Sequence, residues 1–541
     1  MQGAGVSSSA ASWENAHVRR LPVVLAGVAV LAGTLWLYAP ALRFELIGDD
    51  YQWMQLARAA LHWPALLLAD LDTFWRPSST WTLTATHLAA PFSPAAHHAV
   101  SLALHVGAAL LLLAVARKAG LGWTSATAVA GLWACSPFAS EPAIFVASRH
   151  ETLLLAAWLA LALVWPRTGG AWSPGRIAGA AAATALAMCS KETWVVTPGI
   201  VFAYEIVIRK GSRRTTVRIA GLFAGLAAVY TLVRFLIFPT LRSYFDLSPG
   251  VFAKLPHELA AFLYLEGLMP IRFPFGWRNL LALFVIGAAA AFAIRRRQPA
   301  AILGLAFLLL PTIPTLLVPY LPTRYTTIPY CGFLLLVAGC LAELVRALPA
   351  PTRRWANGAC ITVGALVLTA GVFMVRGELA DAEGVSRLHA SLLSEAREVA
   401  TAFPVGVPVL VIRAENDNPA ETLALGARGL PKLPYIRRPD PYGMVDAAGL
   451  FDWVLRREDL EVVRIDDGER RFAGRPGAVL VHRSGRFEWL PGGTSDVGAR
   501  AKGAGLAGYQ VRIVLAEPWR ARPRTGGLRT EPPGGAVQSE S

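Results

Sequence analysis

Apolar segments of helical length, separated by short polar stretches, follow one another along most of the chain. The first of them, residues 21–40, is long enough at 1.5 Å per residue to cross a hydrocarbon core of about 30 Å. The pattern predicts about eleven transmembrane helices, and therefore an α-helical polytopic membrane protein. The helices are expected near residues 21–40, 98–116, 123–140, 151–166, 177–190, 193–208, 217–239, 279–294, 300–320, 326–346 and 355–376.

The pattern changes after residue 376, where the composition becomes that of a soluble protein. A small α/β or α+β domain is predicted over residues 377–519, with a polar turn at 415–418. The Gly-, Pro- and Arg-rich residues 520–541 are expected to be disordered. The predicted elements of the domain are helices at 378–401 and 450–460 and strands at 407–413 and 479–482.

Composition and charge narrow the classes of function. Hydrophobic residues make up 54% and charged residues 16% of the 541 positions, which excludes a soluble multidomain protein. The formal charge of +15 does not indicate a nucleic-acid partner, because Lys and Arg cluster in the short loops between apolar segments. The five cysteines lie in or beside apolar segments without CxxC spacing and are predicted to be buried helix residues.

The positive charges predict which helix ends face the cytoplasm. Arg19 and Arg20 precede the first helix, which is too long for the apolar core of a cleaved signal peptide and is interpreted as a retained anchor. Residues 1–20 are therefore expected to be cytoplasmic, and the first loop (41–97) and the C-terminal domain extracytoplasmic. The later clusters on the side of Arg19 are Arg117-Lys118, Arg167 with Arg176, Arg209-Lys210 with Arg213-Arg214, Arg295-Arg296-Arg297 and Arg353-Arg354.

Asp49 and Asp50 follow the first helix directly, where the chain leaves the membrane. Neighbouring carboxylates repel each other and lose solvation at such a boundary, so one of them is predicted to have the raised proton affinity of a general base. The alternative is that one of them caps the helix expected to begin at Tyr51. That helix has the pattern of a segment lying in the membrane interface and bending at Pro64.

Further ionisable residues recur at the membrane edge on the predicted external side. Charges at membrane depth are costly and indicate function, although each has a simpler alternative. Arg76 suits a phosphate or a carboxylate, or else snorkels at the interface. The simpler interpretation of Glu141 is that it caps the start of a helix, and that of Arg149 and Glu151 is a local ion pair. The other residues of this kind are Lys191, Glu192, Arg324 and Tyr325.

Three histidines, His97, His98 and His105, open the second helix on nearby turns. Such a group invites a metal interpretation, because neutral imidazole is a common metal ligand. No acidic residue or cysteine lies at ligand spacing, so the sequence argues against a metal site here.

These motifs follow one another in a defined order. They are Asp49-Asp50, Trp75-Arg76-Pro77, the His-containing start of the second helix, Ser136-Pro137 through Glu141 to Arg149, Ser190-Lys191-Glu192, and Arg324-Tyr325 with Pro329-Tyr330-Cys331-Gly332-Phe333. The order resembles the membrane glycosyltransferases of the GT-C superfamily, especially the bacterial relatives of the transmembrane and tetratricopeptide-repeat O-mannosyltransferases. The resemblance covers about residues 20–346 and implies a location in a bacterial inner membrane. The chain departs from the family pattern at Ser136, where the family often has His, and at His150-Glu151, where it has Asp.

The resemblance implies transfer of a sugar from a polyprenyl-phosphate donor to an acceptor hydroxyl on the extracytoplasmic side, with inversion at the anomeric carbon. It implies that Asp49 is the base, with Asp50 as the alternative or as its orienting partner. It leaves open a divalent cation and whether the acceptor is a protein, a glycan or a lipid. The substrate-binding residues it implies are Arg76, Glu141, Arg149, Glu151, Lys191, Glu192, Arg324, Tyr325 and His98.

Three other classes of function share parts of this pattern. A polymerase or ligase for lipid-linked polysaccharides shares the donor type, so the sequence hardly separates it from the first interpretation. A secondary transporter would favour Gly- or Pro-broken helices at the midplane and internal repeats, whereas the charges here gather at one face. A scaffold or receptor would not need acids and cations on one side of the membrane.

Overall fold

The structure of the protein is a computed structural model. It describes residues 8–47, 50–68, 75–167, 170–237, 254–263, 276–317 and 323–400, together with six strands in the C-terminal part. The chain divides into two compact units, of which the first contains the described residues up to Ser394 and the second contains the strands. The predictions for Asp49, for the polar turn at 415–418 and for the tail at 520–541 lie outside the described residues.

The first unit is built from α-helices within the described ranges. Five short 3₁₀ turns and one π-helical turn, Glu205–Arg209, join some of them. The helices are α1 Ser8–Tyr38, α2 Asp50–His62, α3 Pro77–Ala89, α4 Pro94–Lys118, α5 Trp123–Ala134, α6 Glu141–Ile144, α7 Arg149–Val164, α8 Pro174–Ser190, α9 Thr197–Tyr204, α10 Arg213–Ile237, α11 Lys254–Phe262, α12 Trp277–Arg296, α13 Pro299–Leu316, α14 Thr327–Ala347 and α15 Ala350–Ala400. The 3₁₀ turns are Ala39–Arg43, Pro64–Leu68, Val146–Ser148, Glu192–Val196 and Thr323–Thr326.

Several helices begin at a polar residue followed by proline. The Ser93 side chain accepts a hydrogen bond from the N–H of Ala96 at 3.2 Å, and the Gln298 side chain accepts one from Ala301 at 2.9 Å. The next residue in each case is a proline in the first turn, where its missing N–H costs nothing. These dipeptides therefore fix where α4 and α13 start.

Eight helical segments in the described ranges are long and apolar enough to cross a membrane. Large apolar side chains such as Leu222, Leu236 and Phe284 are more than half exposed, as expected where a helix faces lipid. The expected helical, multi-spanning architecture is confirmed. Three predicted spans correspond to shorter helices, α5, α8 and α9, so the count of eleven stays a prediction. The eight are Val24–Arg43, Pro94–Lys118, Val146–Val164, Arg213–Leu236, Trp277–Arg296, Pro299–Leu316, Arg324–Ala347 and Ala350–Ser391.

Helices α4 and α7 run side by side in the same direction. At their beginnings, Arg149 donates to the Ser101 hydroxyl at 2.9 Å. At their ends, the Lys118 ammonium donates to the carbonyls of Ala162 and Leu163, each at 2.8 Å. Lys118 thus binds carbonyls that have no hydrogen-bond donor within the last turn of α7. The contacts at both ends show that α4 and α7 are parallel.

Helices α13 and α14 pack backbone against backbone. A Cβ atom added to Gly304 would lie 2.3 Å from the Leu336 nitrogen, and one added to Gly332 would lie 2.2 Å from the Leu308 nitrogen. Small residues at such contacts let membrane helices approach closely, which strengthens their van der Waals packing. This contact fixes the start of α14 and, with it, Arg324 and Tyr325 in the turn just before that helix.

We expect Gly332→Leu to lower the free energy of unfolding by at least about 3 kcal/mol, because the side chain has no space between the two helix backbones. Thermal unfolding of the purified protein in detergent measures the loss. Gly287→Leu is the matched control, since nothing lies within 4 Å of a Cβ at that position of α12. Equal unfolding temperatures for the two variants would contradict the close α13–α14 contact.

The second unit contains a mixed sheet. Strand β1 pairs in parallel with β3 and antiparallel with β6, and the order across the sheet is β2-β6-β1-β3-β4, with β5 paired to β3. The predicted strands at 407–413 and 479–482 coincide with β1 and β3, whereas the predicted helix at 450–460 lies outside the described residues except for Leu460. The domain's α/β or α+β class and its boundaries stay predictions. The strands are β1 Pro408–Arg413, β2 Leu460–Val463, β3 Pro476–Arg483, β4 Arg486–Trp489, β5 Ser495–Asp496 and β6 Gln510–Ala516.

Candidate functional site

The first loop brings Asp50 into the interior of the helical unit. The Asp50 side chain is fully buried at the start of α2. One carboxylate oxygen accepts the N–H of Ile47 at 3.0 Å, and the other accepts the N–H of Ala147 at 2.6 Å. Because Ala147 lies just before α7, the Asp50 carboxylate ties the first loop to the start of that helix. Its neighbour Asp49 lies outside the described residues.

Arg149 is fully buried at the first position of α7. Its guanidinium donates to the Ser101 hydroxyl at 2.9 Å and to the carbonyl of His97, both on α4. Asp50 is the negative charge that acts on it most strongly. These contacts turn Arg149 toward α4, where it joins α7 to α4 and balances the buried charge of Asp50.

Three cations, two carboxylates and a histidine meet where α3 and α7 begin and where α8 and α10 end. The Arg76 guanidinium lies 3.1 Å from the His150 ring nitrogen Nε2 and donates to Glu192 at 3.2 Å. Arg234, near the end of α10, approaches the other oxygen of Glu192 at 3.4 Å. On the far side of His150, the Glu151 carboxylate pairs with Lys191. We call this group the ionic cluster; its members are Arg76, His150, Glu151, Lys191, Glu192 and Arg234.

The ionic cluster contains one more positive than negative side chain, with His150 neutral. Its side chains are buried or, for Glu192, about a quarter exposed. Burial alone would raise the pKa of Glu192, but Arg76 and then Arg234 outweigh it and hold that pKa below its usual range. Burial lowers the pKa of Lys191 to about 8, against the opposing attraction of Glu151. Lys191 is therefore a cation that can lose its proton near neutral pH.

Tyr325 connects the ionic cluster to a second ion pair. The Lys191 ammonium lies 3.8 Å from the centre of the Tyr325 ring, and the Arg324 guanidinium lies 5.8 Å from it. Glu141, buried at the start of α6, accepts the backbone N–H of Arg324 at 2.8 Å and its guanidinium at 3.0 Å. Glu141 thus fixes both the backbone and the side chain of Arg324.

The histidines of α4 make separate contacts. His98 Nε2 lies 3.4 Å from the carbonyl of Glu45, so it supports the first loop. His105 Nε2 lies 3.0 Å from the carbonyl of Ala134, and its ring stacks on Trp133 at 4.7 Å. Among the residues that the structure describes, no three His, Cys, Asp or Glu side chains converge as ligands of a metal ion.

The long helix α15 also reaches the first loop. Ser386 accepts the backbone N–H of Glu45 at 2.8 Å, and His389 Nδ1 lies 2.8 Å from the carbonyl of Leu46. Nearer the N-terminus of α15, the Glu378 carboxylate accepts a hydrogen bond from the Ser140 hydroxyl. Helix α15 passes the predicted domain boundary at residue 377 without interruption, so residues on both sides of that point belong to one helix.

Of the residues predicted for the site, the structure brings Arg76, Glu151, Lys191 and Glu192 into one cluster. Arg324 and Tyr325 adjoin it with Glu141, whereas Asp50, Arg149 and His98 lie together around the start of α4 and the first loop. Sequence reasoning did not single out Arg234, Ser386 or His389. The sequence did hold a signal for Arg234, because it is a charged residue in the last turn of an apolar segment. It lies at the end opposite the cluster Arg213-Arg214.

No family model and no curated protein matches the chain. Among solved structures, ArnT from Cupriavidus metallidurans bound to undecaprenyl phosphate is similar over 91% of this chain and 99% of that chain, with 14% identity and a TM-score of 0.46. Its apo form is similar over 95% of this chain and 100% of that chain, with 14% identity and a TM-score of 0.45. A likeness this weak assigns neither an activity nor a substrate to this chain.

Proposed function

We propose that the protein is an integral membrane glycosyltransferase that moves a sugar from a polyprenyl-phosphate donor to an acceptor hydroxyl on the extracytoplasmic face. The ionic cluster is the observation that carries the proposal. Surplus positive charge in buried surroundings suits a phosphate group, because cations act most strongly on phosphate where water is excluded. The site residues that resemble the GT-C superfamily agree with this activity.

In the proposed reaction Asp49 takes the proton of the acceptor hydroxyl. The acceptor oxygen then attacks the anomeric carbon, and the bond from that carbon to the phosphate oxygen breaks with both electrons leaving on the polyprenyl phosphate. Attack from the face opposite the leaving group inverts the configuration, through an oxocarbenium-like transition state. Asp50 holds the loop that carries Asp49, since its own carboxylate already binds two backbone N–H groups.

The leaving phosphate gains negative charge as the bond breaks. Arg76, Lys191 and Arg234 are the groups proposed to stabilise it, with Arg324 held beside them by Glu141. Without a donor, Glu192 and Glu151 neutralise these cations and lower the cost of burying them. The phosphate then replaces part of the attraction that the carboxylates supply.

Purified protein in lipid nanodiscs, supplied with a panel of labelled polyprenyl-phosphate sugars, tests the proposal. Transfer is scored on protein, glycan and lipid acceptors, and the anomeric configuration of the product is read by NMR. Transfer with inversion from at least one donor is the expected result. Absence of transfer from every donor in the panel, or a product that retains the donor's configuration, would refute it.

The pKa of Lys191 predicts how activity depends on pH. We expect kcat/KM to fall as the pH rises through about 8, because Lys191 then loses the positive charge that attracts the donor phosphate. The folded-state pKa lies below the ordinary value of 10.5, so between pH 8 and 10.5 Lys191 binds a proton in the unfolded chain more than in the folded protein. Its contribution to the free energy of unfolding therefore rises with pH in this interval. Activity and stability should therefore diverge in this interval.

Lys191→Arg separates Lys191 from other titrating groups. The guanidinium keeps its charge throughout this range, so the alkaline fall in kcat/KM should move to higher pH even if the overall rate is lower. An unchanged alkaline limb in the variant would show that another group is responsible.

A further inference from the structure

A cavity of about 390 Å³ lies between the end of α1 and the later half of α15. Phe44 and Trp36 supply aromatic surface, whereas Arg43 and Arg387 supply positive charge. The cavity is separate from the ionic cluster and shares no residue with it. Its lining residues are Trp36, Ala39, Pro40, Arg43, Phe44, Glu383, Ser386 and Arg387.

The cavity lies where membrane-spanning helices end. Arg43 is the last residue of the candidate span Val24–Arg43, and the opposite wall belongs to the final part of the candidate span Ala350–Ser391. Trp36, about two turns earlier, is 62% exposed, and tryptophan prefers the level of lipid headgroups. An occupant of this cavity would therefore have its polar part at headgroup level and its apolar part along α1.

Positive charge dominates around the cavity. Arg43 and Arg387 line it, and the guanidinium of Arg376 lies 4.5 Å from the centre of the Trp36 ring. The one acidic side chain of the lining, Glu383, pairs with Arg387 at 2.6 Å. The lining therefore has two arginines and one carboxylate, a surplus positive charge that matches an anionic group, and arginine binds phosphate oxygens with two parallel hydrogen bonds.

We propose that this cavity binds the headgroup of an anionic phospholipid, with the phosphate between Arg43 and Arg387 and an acyl chain along Trp36. The lipid would lie next to residues 44 and 45 of the first loop. Phe44 lines the cavity, and Ser386 both lines it and accepts the N–H of Glu45. A bound lipid thus supports the contact that holds the first loop on α15.

Native mass spectrometry of the delipidated protein, titrated with phosphatidylglycerol or with phosphatidylcholine, measures the site. We expect tighter binding of phosphatidylglycerol to the wild type and about 30-fold weaker binding to Arg43→Gln/Arg387→Gln, at about 5-fold for each arginine. Arg346→Gln/Arg353→Gln removes two arginines outside the cavity and should leave binding unchanged. Glu383→Gln removes the competing carboxylate and should strengthen binding, so the test does not depend on one variant.

Several outcomes would overturn the proposal. Phosphatidylcholine binding as tightly as phosphatidylglycerol, or equal losses in the cavity and control variants, would show that the arginines do not form a site. Equal binding of soluble glycerol phosphate would show that no lipid is required. Displacement of phosphatidylglycerol by an equal concentration of polyprenyl phosphate would assign the cavity to the donor. None of these readouts depends on sugar transfer, so they are independent of the proposed enzyme activity.

Discussion

Replacing Asp49 with Asn is expected to lower the rate of sugar transfer about 10²- to 10⁴-fold, the usual contribution of a positioned general base. The change removes the group proposed to take the acceptor's proton and adds no bulk. Donor binding and the unfolding temperature should stay close to those of the wild type. The acid limb of the kcat/KM profile, which reports the ionisation of the base, should disappear in the variant.

Asp50→Asn is the matched comparison, since it makes the same change one residue later. We expect it to lower the unfolding temperature, because an amide has one acceptor oxygen for the two N–H groups of Ile47 and Ala147. An unsatisfied buried N–H costs about 1–3 kcal/mol. A variant at Asp49 that keeps full transfer, or one at Asp50 that loses only the chemical step, would reverse the roles assigned to the two acids.

Replacing Arg76 with Gln is expected to lower kcat/KM about 10²- to 10³-fold, as for the loss of one group that stabilises a charged transition state. Arg76 contacts both His150 and Glu192, so its charge lies at the centre of the ionic cluster. Transfer kinetics with a labelled polyprenyl-phosphate donor measure the loss. Arg346→Gln is the control, because Arg346 is largely exposed and pairs with Glu343 on its own helix.

A double variant decides what Arg76 does. If Arg76 only neutralises Glu192, then Arg76→Gln/Glu192→Gln should recover activity, because the unpaired carboxylate is removed as well. If Arg76 stabilises the leaving phosphate, the double variant should stay as inactive as the single one. We expect the second result. Recovery in the double variant would make Arg76 a structural partner and remove it from the proposed phosphate site.

The sequence predicts most of the membrane architecture, because a span needs a long apolar segment and little else. It also identifies most of the charged residues that meet, since buried charges such as Lys191 and Glu192 stand out between apolar segments. It does not say which acid meets which cation. Arg149 and Lys191 are both predicted to bind substrate, but the sequence does not say that the Arg149 guanidinium is directed to Ser101 and the carbonyl of His97. Only the packing of α7 on α4 determines that direction.

Other features depend on contacts between residues far apart in the chain. Arg234 lies inside an apolar segment, and its role follows from the approach of α10 to the turn that contains Glu192. The continuity of α15 was not visible either, because its composition changes near residue 377 from apolar to charged while the backbone stays helical. Composition reports the surroundings of a helix, whereas its length is set by packing and by the absence of a helix-breaking residue.

The attachment of the first loop to α15 affects how the protein is made and shortened. Glu45 and Leu46 are held by Ser386 and His389, which the ribosome adds more than 300 residues later. A nascent chain still lacking the second half of α15 therefore lacks these two contacts of the first loop. For the same reason, a truncated version that ends near residue 377 would lose the hydrogen bonds from Ser386 and His389 to its first loop, whereas one that keeps the helix to Ser394 would retain them.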